Sequence, residues 1–227
     1  MAAFTLAEVL ITLGIIGIVA SLTMPSLIAN YQKKVTALRV KQAYSMLSQA
    51  VKLSEIDNGP FPDWDLCLGQ SNGLHNTELV VDKYFIPYFK ELRFCSNGLD
   101  KTCGASVGGF GKNYVLPNGV GIAFLPAEGC NPNIAIIVIG IDVNGSKPPN
   151  TPGLDGFGFT LDPNFKIVVP GDYKENFTRQ DIINGYRRAG DNNLVACNNN
   201  SANITHRYLC TWLLMVDGWE IKDDYPW

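Results

Sequence analysis

The apolar and polar positions divide the chain into an apolar run, an amphipathic run and a longer remainder of short alternating stretches. Val9 to Gln32 contain no charged side chain and are long enough to cross about 30 Å of hydrocarbon as a helix. Apolar residues then recur every three or four positions from Val35 to Ser54, as on one face of a helix. Asn58-Gly59-Pro60 supplies a C-cap and a helix stop. The pattern predicts one helix over residues 4–58, membrane-spanning to about residue 30.

The remainder, residues 59–227, reads as a globular head built from turns and short strands. Asn118-Gly119 between two apolar stretches is a strong hairpin signal, and Ile134–Asp142 and Phe157–Leu161 are predicted strands. Lys166–Val169 is a further candidate strand. Consecutive strands with short connections imply an antiparallel sheet on the C-terminal half of the long helix, which is an α+β fold.

Two further segments of the head are predicted to be helical. They are Asn76–Lys90, within an otherwise irregular stretch that runs from residue 58 to 111, and Asn203–Val216 near the C-terminus. The acidic, aromatic segment from Asp217 to Trp227 is expected to form a strand packed on the core.

Two residues are unusual for an apolar helix. Glu8 lies within its N-terminal end, where an unpaired carboxylate costs up to a few kcal/mol in lipid. Pro25 removes one backbone hydrogen bond and is expected to kink the helix. A secretory signal peptide is the plain alternative, but Met1 to Ala3 supply no positively charged region before the apolar run.

Composition and motifs argue against nucleic-acid binding and catalysis. The 227 residues contain 18 Lys and Arg against 21 Asp and Glu, so there is no basic excess to neutralise phosphates. No GxSxG motif occurs, and His75 and His206 are the only histidines. We expect no enzyme activity, no required cofactor and no nucleic-acid partner.

The string FTLAEVLITL, from Phe4 to Leu13, resembles the class III signal of type IV pilins and of the pseudopilins of type II secretion. The resemblance implies that a prepilin peptidase cuts between Ala3 and Phe4 and methylates the new amine, leaving residues 1–3 as a leader remnant. Glu8 is then the fifth residue of the mature chain and an assembly residue. Pro25 stands where pilin helices commonly have proline, and the head is expected to be pilin-like.

The function implied by the resemblance is that of a structural subunit of a type IV pilus-like extracytoplasmic fibre, assembled through the N-terminal helix. Its partners would be copies of itself in a helical fibre, other pilin-like subunits, the prepilin peptidase, and the inner membrane before assembly. The expected location is an inner-membrane precursor with its head outside the cytoplasm, then a pilus or periplasmic fibre. A pseudopilin of a type II secretion system and a membrane-tethered binding protein or adhesin are the two alternatives.

Six cysteines, with no CxxC pair, suit disulfides in an oxidising compartment. Cys197 and Cys210 bracket a region similar to the disulfide-bounded region of many type IV pilins, and we expect them to pair. The pairing of the other four remains open, with Cys95 to Cys103 as one option; these four are Cys67, Cys95, Cys103 and Cys130.

The segment from residue 142 to 155 carries oxygen-bearing side chains separated by glycines and prolines, and it resembles a DxNGxxxPNxxGxD loop of some pilin-like proteins. A hard cation such as Ca²⁺ needs oxygen ligands wrapped around one point. A proline-stiffened turn that is held by its own side chains is the alternative. The predicted ligands are Asp142, Asn144, Asn150 and Asp155.

Overall fold

The fold is α+β, with a long N-terminal helix and an antiparallel sheet, as the pattern predicted. A computed structural model describes residues 5–66, 68, 77–97, 112–126, 137–162, 167–170, 176–187, 194–198, 207 and 209–227. Contacts divide the chain into two compact units, residues 1–35 and residues 36–227. The helices are α1 (Leu6–Asn58), α2 (Thr77–Tyr84), α3 (Arg179–Asn184) and α4 (Leu209–Val216), and short 3-10 turns lie at Phe61–Asp63 and Ile86–Tyr88.

Six strands form one sheet whose spatial order is the chain order, with every neighbouring pair antiparallel. The strands are β1 (Arg93–Asn97), β2 (Lys112–Val115), β3 (Gly121–Pro126), β4 (Ile137–Asp142), β5 (Gly156–Asp162) and β6 (Ile167–Pro170). A second, two-stranded sheet joins β7 (Tyr186–Arg187) to β8 (Leu194–Val195). This is the meander expected from consecutive short strands.

The predicted hairpin connects β2 to β3. The amide of Leu116 donates to the carbonyl of Val120 at 2.9 Å, and Gly119 has φ +83°, a conformation that glycine adopts without penalty. Residues 134–136 of the predicted Ile134–Asp142 strand lie outside the described residues, and the rest forms β4.

The hydrophobic core of the second unit lies between the sheet and the C-terminal part of α1. The buried face of α1 repeats every three or four residues, and it comprises Ala37, Val40, Ala43, Leu47, Ala50, Val51 and Ser54. In the sheet, Ile139 of β4 lies opposite Phe124 of β3 and Phe159 of β5, and all three side chains are fully buried. Burial of each such side chain contributes about 1.5–3 kcal/mol, so the centre of the sheet and this helix face stabilise each other.

Three details of the head differ from expectation. The stretch from residue 58 to 111 contains an unpredicted strand, β1, whose register shifts between Phe94 and Ser96 and so breaks the alternation that marks a strand. The predicted Asn76–Lys90 helix is divided into α2 and the second 3-10 turn. The C-terminal segment after Asp217 forms turns instead of a strand, although the Tyr225 side chain is buried in the core.

Candidate functional site

The N-terminal half of α1 exposes apolar side chains on every side. We call residues 6–31 the apolar segment; an 18-residue window in α1 has a mean hydropathy of 2.2 and no buried residue. Its large exposed side chains include Leu6, Val9, Leu10, Ile11, Leu13, Ile15, Ile16, Ile18, Val19, Leu22, Met24, Leu27 and Ile28. Because they surround the helix, water is an unfavourable environment for all of its faces. By length and composition the segment suits a membrane anchor or a signal sequence.

Glu8 closes a reciprocal hydrogen-bond pair at the start of α1. Its Oε2 accepts from the backbone N and from Oγ1 of Thr5, each at 2.7 Å, and its own backbone N donates to Thr5 Oγ1 at 3.3 Å. This is a capping box, which satisfies donors that the first helical turn leaves free. The T-x-x-E spacing was readable from the sequence, but the expectation for Glu8 considered only its charge.

Three further polar side chains of the apolar segment, Thr12, Ser21 and Thr23, also bond within the helix. Thr12 Oγ1 donates to the carbonyls of Glu8 and Val9, Ser21 Oγ donates to Ile18 at 2.8 Å, and Thr23 Oγ1 donates to Val19 at 2.9 Å. Such internal pairing is what a helix needs in hydrocarbon, where no water can satisfy a hydroxyl.

Two expected features of this end of the chain stay predictions. The structure is helical on both sides of Pro25, so this proline does not end α1, and the kink expected there is not tested. The predicted processing site, Ala3 and Phe4, lies outside the described residues.

The loop between β4 and β5, residues 143–155, is organised around the carboxylate of Asp155. Its Oδ2 accepts from the backbone N of Asn150 at 2.7 Å and from Nδ2 of Asn144 at 3.1 Å, and its Oδ1 accepts from the backbone N of Thr151 at 2.5 Å. Asp142 Oδ1 accepts from the backbone N of Asn144 at 3.2 Å. Both carboxylates are buried, Asp142 at 1% and Asp155 at 3% exposure.

The structure therefore brings three of the four predicted calcium ligands together, while Asn150 contributes its backbone N–H. Three N–H groups donate to the Asp155 carboxylate and compensate its charge without a metal. This arrangement is what the alternative of a stiff turn, held by its own side chains, predicts. One oxygen in this loop, Oδ1 of Asn144, is buried and accepts no hydrogen bond from the described residues. The described part of the chain contains no group of three or more His, Cys, Asp or Glu that could hold a metal. Calcium binding stays a prediction.

The expected disulfide between Cys197 and Cys210 is present, with a Cα–Cα distance of 4.7 Å and both residues fully buried. It joins the segment after β8 to α4. Gly153 of the β4–β5 loop packs directly on it: a Cβ at Gly153 would lie 3.0 Å from Sγ of Cys210. The loop and the disulfide thus form one packed region.

Of the remaining cysteines, the structure describes Cys95, which is also disulfide-bonded. Cys67, Cys103 and Cys130 lie outside the described residues, so the option of Cys95 with Cys103 is untested. The two histidines, His75 and His206, lie outside them as well.

An ion cluster that the sequence analysis missed holds α3 to the C-terminal segment. Arg179 donates Nε and Nη2 to the two oxygens of Asp217, at 2.7 and 2.9 Å, and Nη1 and Nη2 to Asp224, each at 2.7 Å. Lys222 Nζ donates to Asp217 Oδ1 at 2.7 Å. Asp217 and Asp224 lie 38 and 45 residues from Arg179 in the sequence. No local sequence pattern could therefore predict that these side chains meet.

The cluster shifts the pKa of each carboxyl group in it. Burial by itself would raise the pKa of Asp217, but the hydrogen bonds and charges of Arg179 and Lys222 outweigh burial and hold that pKa below its ordinary value. The hydrogen bonds from Arg179 likewise lower the pKa of Asp224.

A separate capping box starts α3. There the side-chain hydrogen bond from Thr178 lowers the pKa of Asp181.

Comparison with known proteins assigns the chain to a family without assigning an activity. No curated protein and no solved structure matches the chain significantly. Residues 26–227 match the model of a family of unknown function (DUF6613), and the chain belongs to that family.

Proposed function

We propose that this protein is a structural subunit of a type IV pilus-like extracytoplasmic fibre, built by packing the apolar segments of many copies together. The observation that carries the proposal is the position of Glu8. It is the only charged side chain in the apolar segment, it lies in the first turn of α1, and the surrounding apolar residues are exposed. The FTLAEVLITL string supports the proposal independently of the family match, which begins at residue 26.

Assembly would give the Glu8 carboxylate a charged partner. Cleavage before Phe4 would create an amine with an ordinary pKa of about 8, and methylation keeps its positive charge. In the core of a fibre the amine of one subunit would meet Glu8 of a neighbour, and a low dielectric makes that pairing strong. Breaking such a pair leaves an uncompensated buried charge, so the pair would also set the axial register between subunits.

The compact unit formed by residues 36–227 would be displayed on the outside of the fibre. Its partners are copies of the same chain, other pilin-like subunits, the inner membrane before assembly and a prepilin peptidase. A pseudopilin of a type II secretion system would use the same contacts in a periplasmic fibre. A membrane-tethered binding protein or adhesin would use α1 as an anchor alone and would gain nothing from the charge of Glu8.

The capping box allows the charge of Glu8 to be tested separately from its role as a helix cap. Glu8→Gln removes the charge but keeps an oxygen that can accept from Thr5, as Gln does in other capping boxes. Glu8→Ala removes both, and Thr5→Val removes the hydroxyl of the box while keeping the charge. With each variant as the only copy in the native host, fibres are counted by electron microscopy and the membrane-bound precursor by immunoblot.

We expect both Glu8 variants to reduce fibres by at least about tenfold, because a lost ion pair in the fibre core exceeds about 1.4 kcal/mol. Thr5→Val should assemble at a level near wild type. Membrane insertion and the Cys197–Cys210 disulfide should be normal in all three variants. If Glu8→Gln assembles like wild type while Glu8→Ala and Thr5→Val fail, Glu8 acts as a helix cap and the fibre proposal loses its main support.

The processing step has its own readout. Mass spectrometry of the N-terminal peptide from the native host should show a chain beginning at Phe4 with a methylated amine. An intact Met1, or a cut near Ser21 as for a secretory signal peptide, would contradict processing of the pilin kind.

A further inference from the structure

A basic pocket lies at one end of the six-stranded sheet. It has a volume of about 270 Å³ and is formed where the start of β1, the β2–β3 turn, the β4–β5 loop and one turn of α1 meet. The meander creates the pocket. Arg93 pairs with Val115, Val115 with Gly121, and Gly121 with Asp142, so one end of each of these four strands lies at the same end of the sheet. The described polar side chains that line the pocket are Arg39, Arg93, Asn118, Asn144, Ser146 and Lys147.

Among the described residues, the lining of the pocket carries three positive charges and no carboxylate. Arg39, Arg93 and Lys147 come from three separate elements, and none forms an ion pair with a described residue. The nearby Asp155 directs its oxygens to N–H donors within its own loop. Three like charges facing one space repel one another, so an anion in that space would relieve the repulsion.

Hydrogen bonds within the protein hold two of the donor side chains of the pocket, Arg39 and Asn118, in place. Arg39 is half-buried, and its Nη1 donates to the carbonyl of Val143 at 2.8 Å, which leaves Nε and Nη2 without a partner among the described residues. Asn118 uses its Oδ1 to accept from the backbone N of Val120 at 3.2 Å, so its NH₂ group remains to donate. These two side chains therefore lose little entropy when the pocket binds a ligand.

We infer that this pocket binds a phosphate or sulfate group, either as the free ion or as the ester of a small molecule. A tetrahedral dianion offers several acceptor oxygens to donors that approach from different directions, as the guanidinium groups of Arg39 and Arg93 and the ammonium of Lys147 do. The pocket volume lies just below the range of about 300–1,000 Å³ for sites of drug-sized ligands, which limits the ligand to a small molecule or a single group. The inference is independent of the proposed fibre function.

The test measures the melting temperature of the full chain in a neutral detergent at constant ionic strength. Constant ionic strength matters because salt screens exposed charges by itself. The probes are inorganic phosphate, sulfate and glucose 6-phosphate, with acetate and glucose as controls. The variants are Arg93→Gln and Lys147→Gln, both at exposed positions, and Lys90→Gln is a matched control at an exposed lysine outside the pocket.

We expect a saturable rise in melting temperature with phosphate, sulfate or the sugar phosphate, because a ligand of the folded state stabilises it by mass action. Each pocket variant should weaken the apparent affinity by about tenfold or more, as loss of a charge-assisted hydrogen bond does, while Lys90→Gln should match wild type. Tighter binding of glucose 6-phosphate than of phosphate would identify an ester as the ligand, and the reverse order would identify the free ion.

Three results would overturn the inference. One is a rise that does not saturate or that is equal in the pocket variants and the wild type. Another is an equal response to acetate, which would indicate a general effect of anions. The third is the absence of any shift with all three oxyanion probes at tens of millimolar.

Discussion

The hydroxyl of Tyr225 donates a 2.6 Å hydrogen bond to the carbonyl of Gly153, across 72 positions of the chain. Tyr225 lies just before Pro226 and Trp227, and its ring is buried. Burial strongly raises the pKa of its phenol, so the hydroxyl remains a donor throughout the pH range in which proteins are studied. This bond connects the C-terminal turns to the β4–β5 loop. Because Gly153 packs on Cys210, the same loop is in contact with the disulfide.

Tyr225→Phe should lower the free energy of unfolding by about 1–2 kcal/mol, because it removes a buried hydrogen bond and leaves the Gly153 carbonyl without this donor. Chemical denaturation of the full chain in detergent measures the change. Tyr31→Phe removes an exposed hydroxyl and should change the free energy by less than about 0.5 kcal/mol. Equal effects of the two variants would show that the bond contributes nothing.

The pKa of Asp217 predicts how stability depends on pH. It is lowered in the folded protein, whereas an unfolded Asp titrates near about 3.9. The unfolded state therefore binds more protons below that pH, and the stabilisation from the carboxylate is fully present above about pH 4 and is lost as pH falls through the folded-state pKa. The unfolding free energy of the wild type should thus decrease on acidification below about pH 4.

Asp217→Asn should flatten part of that acid dependence and cost about 2 kcal/mol at neutral pH, where the charged hydrogen bonds from Arg179 are lost. Denaturation curves measured between pH 3 and pH 7 would separate the two effects. The matched control is Asp63→Asn, at an exposed carboxylate without an ion pair among the described residues. An unchanged pH profile in Asp217→Asn would mean that the cluster does not link protonation to folding.

Glycines of positive φ differ in how much space surrounds them, and this predicts a graded series of alanine variants. Gly59 and Gly218 have φ of +81° and +70°, and no atom of the described residues, chain neighbours apart, lies within 4 Å of where a Cβ would be. At Gly185, by contrast, a Cβ would collide with the backbone carbonyl of Val195. Gly59→Ala and Gly218→Ala should each cost about 1–2 kcal/mol, the penalty of a left-handed conformation.

Gly185→Ala should cost more than about 3 kcal/mol, because crowding adds to a backbone at φ +73° and ψ −172°, a region that is essentially restricted to glycine. Melting temperatures and recovery of folded protein measure the series. A Gly185→Ala variant as stable as Gly59→Ala would contradict the close packing of the α3 C-terminus on Val195 and Ala196, at the end of β8.

The β4–β5 loop predicts different outcomes for calcium binding and for a stiff turn. If Asp142, Asn144, Asn150 and Asp155 bind Ca²⁺, millimolar Ca²⁺ should raise the melting temperature, and Asp142→Ala should abolish the rise. Asp155→Ala should also lower the melting temperature in a chelator, because its carboxylate accepts three N–H donors without any metal. No Ca²⁺-dependent shift in the wild type would leave the stiff turn as the full account of the loop.

Local spacing predicted the elements whose pattern is complete within a few residues. The three-and-four spacing from Val35 to Ser54 predicted the buried face of α1, and Asn58-Gly59-Pro60 predicted its end. Apolar runs predicted most of β4 and β5, and Asn118-Gly119 predicted the β2–β3 hairpin. Strand β1 was not predicted, because its bulge interrupts the alternation of apolar and polar residues on which the prediction of a strand depends.

By itself, the sequence determined the apolar segment and the long helix, because each depends on a repeat that is read within a single element. It also predicted the meander, because the candidate strands follow one another with short connections. Tertiary structure alone decided which distant side chains meet. Arg179 reaches Asp217 only because α3 packs on α4. Arg39, Arg93 and Lys147 share a pocket only because the ends of four strands and one turn of α1 meet at one end of the sheet. The geometry of such contacts depends on how whole elements pack, and no spacing within one segment records it.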